Sequence, residues 1–397
     1  MPSQNKKPPI PRWLLLMGAL TALGPLATDF YLPAFPAIMN GLNATQGQVE
    51  RTLASYLFGL SLAQLFYGPL SDRYGRRFPL IGGLFIFTIA SIGCTLTDNI
   101  EHLNLWRIAQ AFGGAASMVI PRAVIRDNFE TRDAAKALSL LMLIMGATPI
   151  LGPILGGQLL TFTSWRGIFG VMTACGGVLF LAALLTMRES LPPEKAVPLH
   201  MSHVARTYWS LLRDTPFICF SLAGAFGAAA LFTYISGTPR VLIGQYGVDP
   251  QHFGYFFGLG AISLIGASQV SARLLDGNTP EKLLKIAQMG IVGASATGLI
   301  LTLAGWLPLP VLMLCLMSVM ACQGFVYPNA AALALAHQGT RLGAASALIG
   351  ATQMLLGALA GLAVSHWQSD TPLPLTGLIT AFALLSWLFG RIALRTA

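Results

Sequence analysis

The sequence predicts an all-α polytopic membrane protein of twelve transmembrane helices with cytoplasmic N- and C-termini. Hydrophobic residues fill 54% of its 397 positions and Asp, Glu, Lys and Arg only 10%, against roughly a quarter in soluble domains. Mean hydropathy is +0.66. A helix crosses the bilayer in about 20 residues and a short loop adds about 10, so the length holds roughly twelve such units.

With Gly and Pro tolerated inside them, as in membrane helices, the first apolar runs fall at 12–36, 52–70, 78–96, 103–125, 137–160 and 167–187. Lys6, Lys7 and Arg12 before Trp13–Leu26 imitate a secretory signal. The run lacks a small-residue cleavage site and continues past Asp29 through Tyr31-Leu32-Pro33, so it reads as an uncleaved first span. A polar stretch, Arg188–Asp214, follows; further runs lie at 215–237, 252–272, 283–306, 308–334, 343–365 and 374–392. The chain thus divides into a six-helix half (1–187), a cytoplasmic linker (188–214) and a second six-helix half (215–397). The linker holds Pro192-Pro193 and Pro198. Val204, Tyr208, Leu211 and Leu212 beside Arg206 and Arg213 also permit a short interfacial helix, but plain linker is the reading adopted.

Charge placement tests the count. With the N-terminus inside, twenty Lys and Arg residues fall in inner connections or at inner helix ends, Arg122 and Arg126 among them. Only Arg51, Arg166 and Arg240 fall outside, and Arg107 lies within a span. This is the positive-inside bias, and it accounts for the net charge of +9 without a nucleic-acid partner. The five cysteines lie in apolar runs with no paired spacing, so neither a disulfide framework nor a metal site is expected, and no cofactor.

Weak likeness links the halves. Thr131-Arg132-Asp133-Ala134-Ala135 precedes span five as Thr340-Arg341-Leu342-Gly343-Ala344-Ala345 precedes span eleven. Two related halves around a midplane site are the plan of many secondary transporters.

Between spans two and three stands Gly68-Pro69-Leu70-Ser71-Asp72-Arg73-Tyr74-Gly75-Arg76-Arg77. Asp72, at an inner helix end, can bond a neighbouring helix N-terminus, and the arginines can pair with carboxylates or headgroups. Such contacts can form in one global state and break in another. A tight turn with a positive-inside anchor would explain the residues more plainly. The full pattern resembles the loop signature of the major facilitator superfamily, with only a vestige, Arg273 and Asp276, in the second half. The resemblance implies a gating role for Gly68, Asp72, Arg73, Gly75, Arg76 and Arg77.

Span five carries Gly146, then Gly152-Pro153-Ile154-Leu155-Gly156-Gly157. Small residues four apart let helices approach closely, and Pro153 bends the segment. The pattern is similar to the antiporter signature of superfamily drug exporters, which implies a seal over the outer half of the cavity. Span four reads Arg107-Ile108-Ala109-Gln110-Ala111-Phe112-Gly113, again similar to a superfamily pattern, although Ala111 stands where Gly is common. Span one reads Asp29-Phe30-Tyr31-Leu32-Pro33, and an Asp followed two places later by Tyr-Leu-Pro resembles the Bcr/CflA group of drug exporters.

Of fifteen acids only Asp29 falls well inside a predicted span; the others, Glu50 included, fall in connections or at helix ends. An Asp near the centre of a membrane helix costs roughly 2.5 to 3.5 kcal/mol on insertion scales and marks a pathway. Burial favours its protonated form and water its anion, which suits a proton carrier. Arg107 lies at a comparable depth, so the two can meet, either as a static ion pair or as a pair whose partner changes with proton and substrate. On spans that line the cavity in proteins this chain resembles stand Tyr31, Gln110, Phe226, Tyr234, Gln323, Phe325 and Tyr327, a mix suited to an amphipathic drug-sized ligand. Packing or lipid contact would explain each of them singly.

The resemblance implies a proton-coupled multidrug efflux transporter of the bacterial inner membrane, working by drug/proton antiport. Its expected partners are protons, drug-like amphipathic molecules and membrane lipids, and it is expected to be a monomer. The alternative is a proton-coupled exporter or symporter of a small metabolite on the same fold. An intramembrane enzyme is excluded for want of a nucleophile with its base, or a metal cluster, at depth.

Overall fold

The computed structural model describes residues 12–192, 194, 201–367 and 369–396. Lys6, Lys7, Pro193, Lys195, Pro198 and His200 lie outside the described residues, as do the side chains of Arg12, Thr131, Arg132, His203 and Thr340.

In the first half the helices are α1 (Arg12–Asp29), α2 (Phe35–Gly41), α3 (Gln46–Tyr74), α4 (Arg77–Leu96), α5 (Ile100–Asn128), α6 (Thr131–Leu159) and α7 (Trp165–Thr186). After α8 (Met201–Leu212) come α9 (Thr215–Pro239), α10 (Pro250–Leu274), α11 (Pro280–Leu303), α12 (Leu309–Leu335), α13 (Leu342–His366) and α14 (Leu373–Thr396). Twelve helical segments among the described residues are long and apolar enough to span a membrane, α1 and α2 counting together as the first.

Polar caps punctuate them. Thr45 and Gln48 form a reciprocal capping box at the start of α3. Asn99, Asp214, Asp249 and Thr279 cap α5, α9, α10 and α11 with their side chains, satisfying amides that would otherwise be orphaned.

Two segments depart from the expected runs. The second span starts at Gln46 rather than 52, and the seventh continues past 237 through a π-helical turn, Arg240–Gln245. Both extensions take in charge that a hydropathy window rejects. Glu50 is fully buried in α3 and Arg240 is 7% exposed, and Arg240 Nη2 donates to Glu50 Oε2 at 2.9 Å. Neither is the loop residue the sequence suggests. The linker also differs from expectation, because α8 is helical and turns Tyr208 onto the Leu65 carbonyl and Leu211 into the bundle.

The halves meet along two seams, α3 against α13 and α6 against α10. In the first, Ser61 Oγ donates to the Ala351 carbonyl at 2.8 Å and Gly361 lies against Ala54. In the second, Gly157 faces the Pro250 carbonyl and Gly254 faces the backbone of Pro153 and Ile154. These second-seam contacts and the Glu50–Arg240 pair lie at the end of the bundle opposite the linker, here called the distal end. Toward the linker end, exposure rises along the facing helices. Gln323 on α12 is 1% exposed and Tyr327, one turn on, 48%; Arg107 on α5 is fully buried, whereas Arg122 is half-buried. The facing side chains are thus less tightly covered toward the linker end.

Removing one member of a buried ion pair strands the other and costs about 3–5 kcal/mol. Glu50→Gln should therefore lower the thermal midpoint of the purified protein more than Glu50→Gln combined with Arg240→Gln. A double mutant no more stable than the single one would show the two side chains to be uncoupled.

Candidate functional site

Pro33 cannot donate a backbone hydrogen bond, and the first span breaks where that donor is missing. α1 ends at Asp29, and the chain tightens into a short 3-10 turn, Leu32–Ala34, before α2. The break puts Asp29 at the distal part of the interface between halves. Asp29 is 2% exposed, and the Thr28 hydroxyl lies 3.1 Å from its Oδ1 and 2.7 Å from the Pro25 carbonyl. Gly152 of α6 packs on the Asp29 side chain, and a Cβ there would lie 3.3 Å from that of Asp29. At Gly156 a Cβ would collide with the Phe30 carbonyl. The glycines of α6 thus make the room in which the chain turns, while Gly157 faces α10 and Gly146 meets only Ile265, at ordinary contact distance.

Arg107 sits beside this turn but does not pair with Asp29. Its Nη2 donates to the Ala27 carbonyl at 2.9 Å and its Nη1 to Gln110 Oε1 at 2.6 Å. The rings of Tyr31 and Tyr56 stack on the guanidinium, each centroid 4.3 Å from Cζ. A static Asp29–Arg107 ion pair is therefore not what joins α1 to α5. Arg107 instead fixes a carbonyl two residues before the acid, through a charge-assisted bond in an aromatic enclosure.

Of the seven expected cavity residues, Gln323 and Tyr327 on α12 make no side-chain hydrogen bond among the described residues. Gln323 is buried with both amide atoms unpartnered, opposite Gly227, and Tyr327 is half-exposed within electrostatic range of Arg122. The other five are committed to packing. Tyr31 is fully buried and its hydroxyl meets Thr52 at 3.2 Å. Gln110 donates to Ser91 at 2.8 Å inside the first half. Phe226 stacks on Phe382 and Phe389 of α14, and Phe325 packs into the core at the linker end of the second half. Tyr234 donates to the Phe257 carbonyl at 2.8 Å and stacks on that ring, though it lies close enough to Asp29 for their charges to interact. Each residue's helix was legible, but not its rotation about the helix axis. The sequence reading missed Arg122, whose position within run 103–125 was the available signal.

At the linker end the Gly68–Arg77 loop differs from expectation in one respect. Asp72 bonds Arg76 within its own loop instead of a neighbouring helix terminus. Arg76 also donates to Asp127 at 2.9 Å and to Ser71 at 2.9 Å, while Arg77 reaches the Leu184 carbonyl at 2.9 Å. The carboxylate on a helix N-terminus is Glu189, which accepts from the Arg76 and Arg77 amides of α4 at 2.8 and 3.0 Å. Gly75 permits this because its φ is +84° and a Cβ would strike the Glu189 carboxylate. Gly68 faces open space, and Arg73 lies in the last turn of α3.

This geometry gives the comparisons their meaning. The Major Facilitator Superfamily profile matches residues 17–361. The chain belongs to that superfamily. It is 38% identical over 346 residues to the uncharacterised MFS-type transporter YdgK of Bacillus subtilis, covering 87% of this chain and 86% of that one. With the bicyclomycin resistance protein homolog of Haemophilus influenzae it shares 30% over 383 residues, 94% of each. A bacterial homolog of the human lysosomal transporter Spinster superposes with a TM-score of 0.72 at 17% identity, covering 97% of both chains, which speaks for the fold alone. The superfamily member is thus a multi-pass transporter of the bacterial inner membrane in the Bcr/CflA drug-exporter group, not an enzyme.

Two outcomes are expected. Gly156→Ala should force α1 and α6 apart and lower thermal stability, whereas Gly146→Ala, with room to spare, should not; equal midpoints would refute the close-approach argument. Burial alone would raise the pKa of Glu189, but hydrogen bonds from the Leu191, Arg76, Arg77 and Ser190 amides hold it below the ordinary glutamate value. Its stabilisation is present above the unfolded pKa and is lost as pH falls through the depressed folded one. Glu189→Gln should therefore destabilise at neutral pH, with the gap to the parent closing on acidification below about 4. A gap unchanged between neutral and acid melts would sink this.

Proposed function

We propose that this transporter exports drug-like amphipathic molecules in exchange for protons by alternating access, with the linker end facing the cytoplasm. The observation that carries the proposal is Asp29. It is a carboxylate buried at the break of a membrane helix, at the interface between halves, with a hydroxyl but no cation bonded to it. A carboxylate so placed is stable protonated in a dry interface and ionised where water or a cation reaches it. Alternate opening of the two ends changes that access.

With the distal end closed, the space between halves admits cargo from the cytoplasm. Once the distal end opens, Asp29 takes a proton from the acidic outer side as cargo leaves, and it releases the proton inward after the halves rock back. Arg107, bonded to the Ala27 carbonyl, holds the turn that presents the acid. The glycines of α6 keep that turn closely covered, which opposes proton leak. The twenty basic residues on the linker side against three on the other support the orientation. Likeness to a bicyclomycin resistance protein homolog of Haemophilus influenzae supports export of antibiotic-like cargo.

The driving force suffices. One charge crossing 100 mV supplies about 2.3 kcal/mol, and at about 1.4 kcal/mol per tenfold this sustains roughly a 40-fold gradient of a neutral drug.

The test is a drug-susceptibility panel in an efflux-deficient bacterium expressing the chain or its Asp29→Asn variant. Protection by the parent and loss in the variant is expected. Equal protection by both would remove Asp29 from coupling, and protection by neither would favour the metabolite transporter. In proteoliposomes the variant should fail to drive uphill cargo movement after an imposed acid jump.

A further inference from the structure

Arg122 lies six residues before the end of α5, about 9 Å inside it, within electrostatic range of Tyr327 in the other half. The sequence placed it at the inner helix end; the structure places it deeper and without a counter-charge. Its Nε is sealed from water with no hydrogen-bond partner, and its Nη2 has only the Met145 thioether, at 3.5 Å. A thioether is a weak acceptor, and a half-buried guanidinium with a sealed Nε and no carboxylate is costly. The neighbouring acids are committed elsewhere. Asp127 is bonded to Arg76, Asp133 to Lys136 and Glu50 to Arg240, while Asp29 lies in the distal half. α9, α10, α12 and α13, which close the other side, contain no Asp or Glu. The charged group closest along α5 is Arg126, which repels it.

Across the gap stands Tyr327, half-exposed, whose hydroxyl can donate to whatever the guanidinium holds. One turn deeper on α12, the amide of Gln323 is unpartnered at both atoms. Between the halves, then, stand an uncompensated cation, a phenol and a thioether able to adapt to an apolar body, with the Gln323 amide buried behind them in the second half. What is missing there is a negative group.

We infer that Arg122 is a substrate-binding residue that supplies the cationic half of an ion pair to an anionic or strongly acceptor-bearing group on the exported molecule, selecting amphipathic acids over amphipathic cations. This rests on the export reading and narrows it. A phospholipid phosphate offers the same chemistry, but Arg126, exposed and one turn nearer the end of α5, is the residue placed to meet headgroups. An anion leaving as a proton enters moves two charges in the same electrical sense, so the membrane potential would assist both.

Equilibrium dialysis of the full-length chain in nanodiscs, with naphthylacetate, its neutral amide and a naphthylmethyl-trimethylammonium ion, tests the inference. A charge-assisted pair should favour the carboxylate over the ammonium by about tenfold or more. In Arg122→Gln the ratio should collapse towards unity, and Arg122→Lys, which keeps the charge, should retain part of it. Both variants are first checked for a monodisperse gel-filtration peak and a parent-like melt, and Lys serves if Gln fails. Nanodiscs of phosphatidylcholine alone and with added phosphatidylglycerol separate the two sources of anion. The preference should be the same in both, and its abolition by the anionic lipid would assign Arg122 to headgroups and overturn the proposal. So would an equal ratio in parent and Arg122→Gln, or no preference in the parent. Because binding at equilibrium needs no proton gradient, this result is independent of the Asp29→Asn panel that tests antiport.

Discussion

In hydrocarbon a charge persists only where protein or water answers it, and the structure is organised around the different answers its intramembrane charges receive. Glu50 receives a guanidinium from the opposite half. Arg107 receives a carbonyl, an amide oxygen and two aromatic faces, all from its own half. Asp29 receives one hydroxyl, and Arg122 a thioether. The first two answers hold helices in place, although Glu50 Oε1 and Arg107 Nε stay buried without a partner. The last two leave a charge open to a mobile partner, and those are the charges we propose for proton and cargo.

The fold was legible because its signal is collective. Twelve apolar runs and the distribution of basic residues required no knowledge of any single side chain, and ten of the twelve runs end within about five residues of the observed spans. The two that do not are those containing Glu50 and Arg240. A window that scores each residue alone must stop at a charge, whereas the folded chain cancels one against another contributed 190 positions away. The missing stretch of α3 and the missing turn after α9 are therefore a single error made twice.

The site was legible only in part, for a different reason. The resemblance named the helices expected to line the central space, but a helix presents residues all around its axis, and runs apolar on every side carry little information about rotation. Phe226 and Gln110 thus turned out to face α14 and α4. At the loop, the sequence held the correct kind of contact but the wrong acid. A carboxylate does sit on a helix N-terminus, but it is Glu189, more than a hundred positions from the arginines whose amides it accepts. Gly75 was the visible half of that arrangement, since its left-handed conformation admits the carboxylate.

Where α6 meets α10, Gly157 and Gly254 bring bare main chain against main chain. Side chains that interlock must be re-sorted among rotamers before surfaces slide, and each such step adds friction. In the exchange we propose, a smooth bearing of this kind would let one half roll upon the other while its own interior stays rigid, so that work done at the charges would be delivered as tilt instead of being dissipated in repacking.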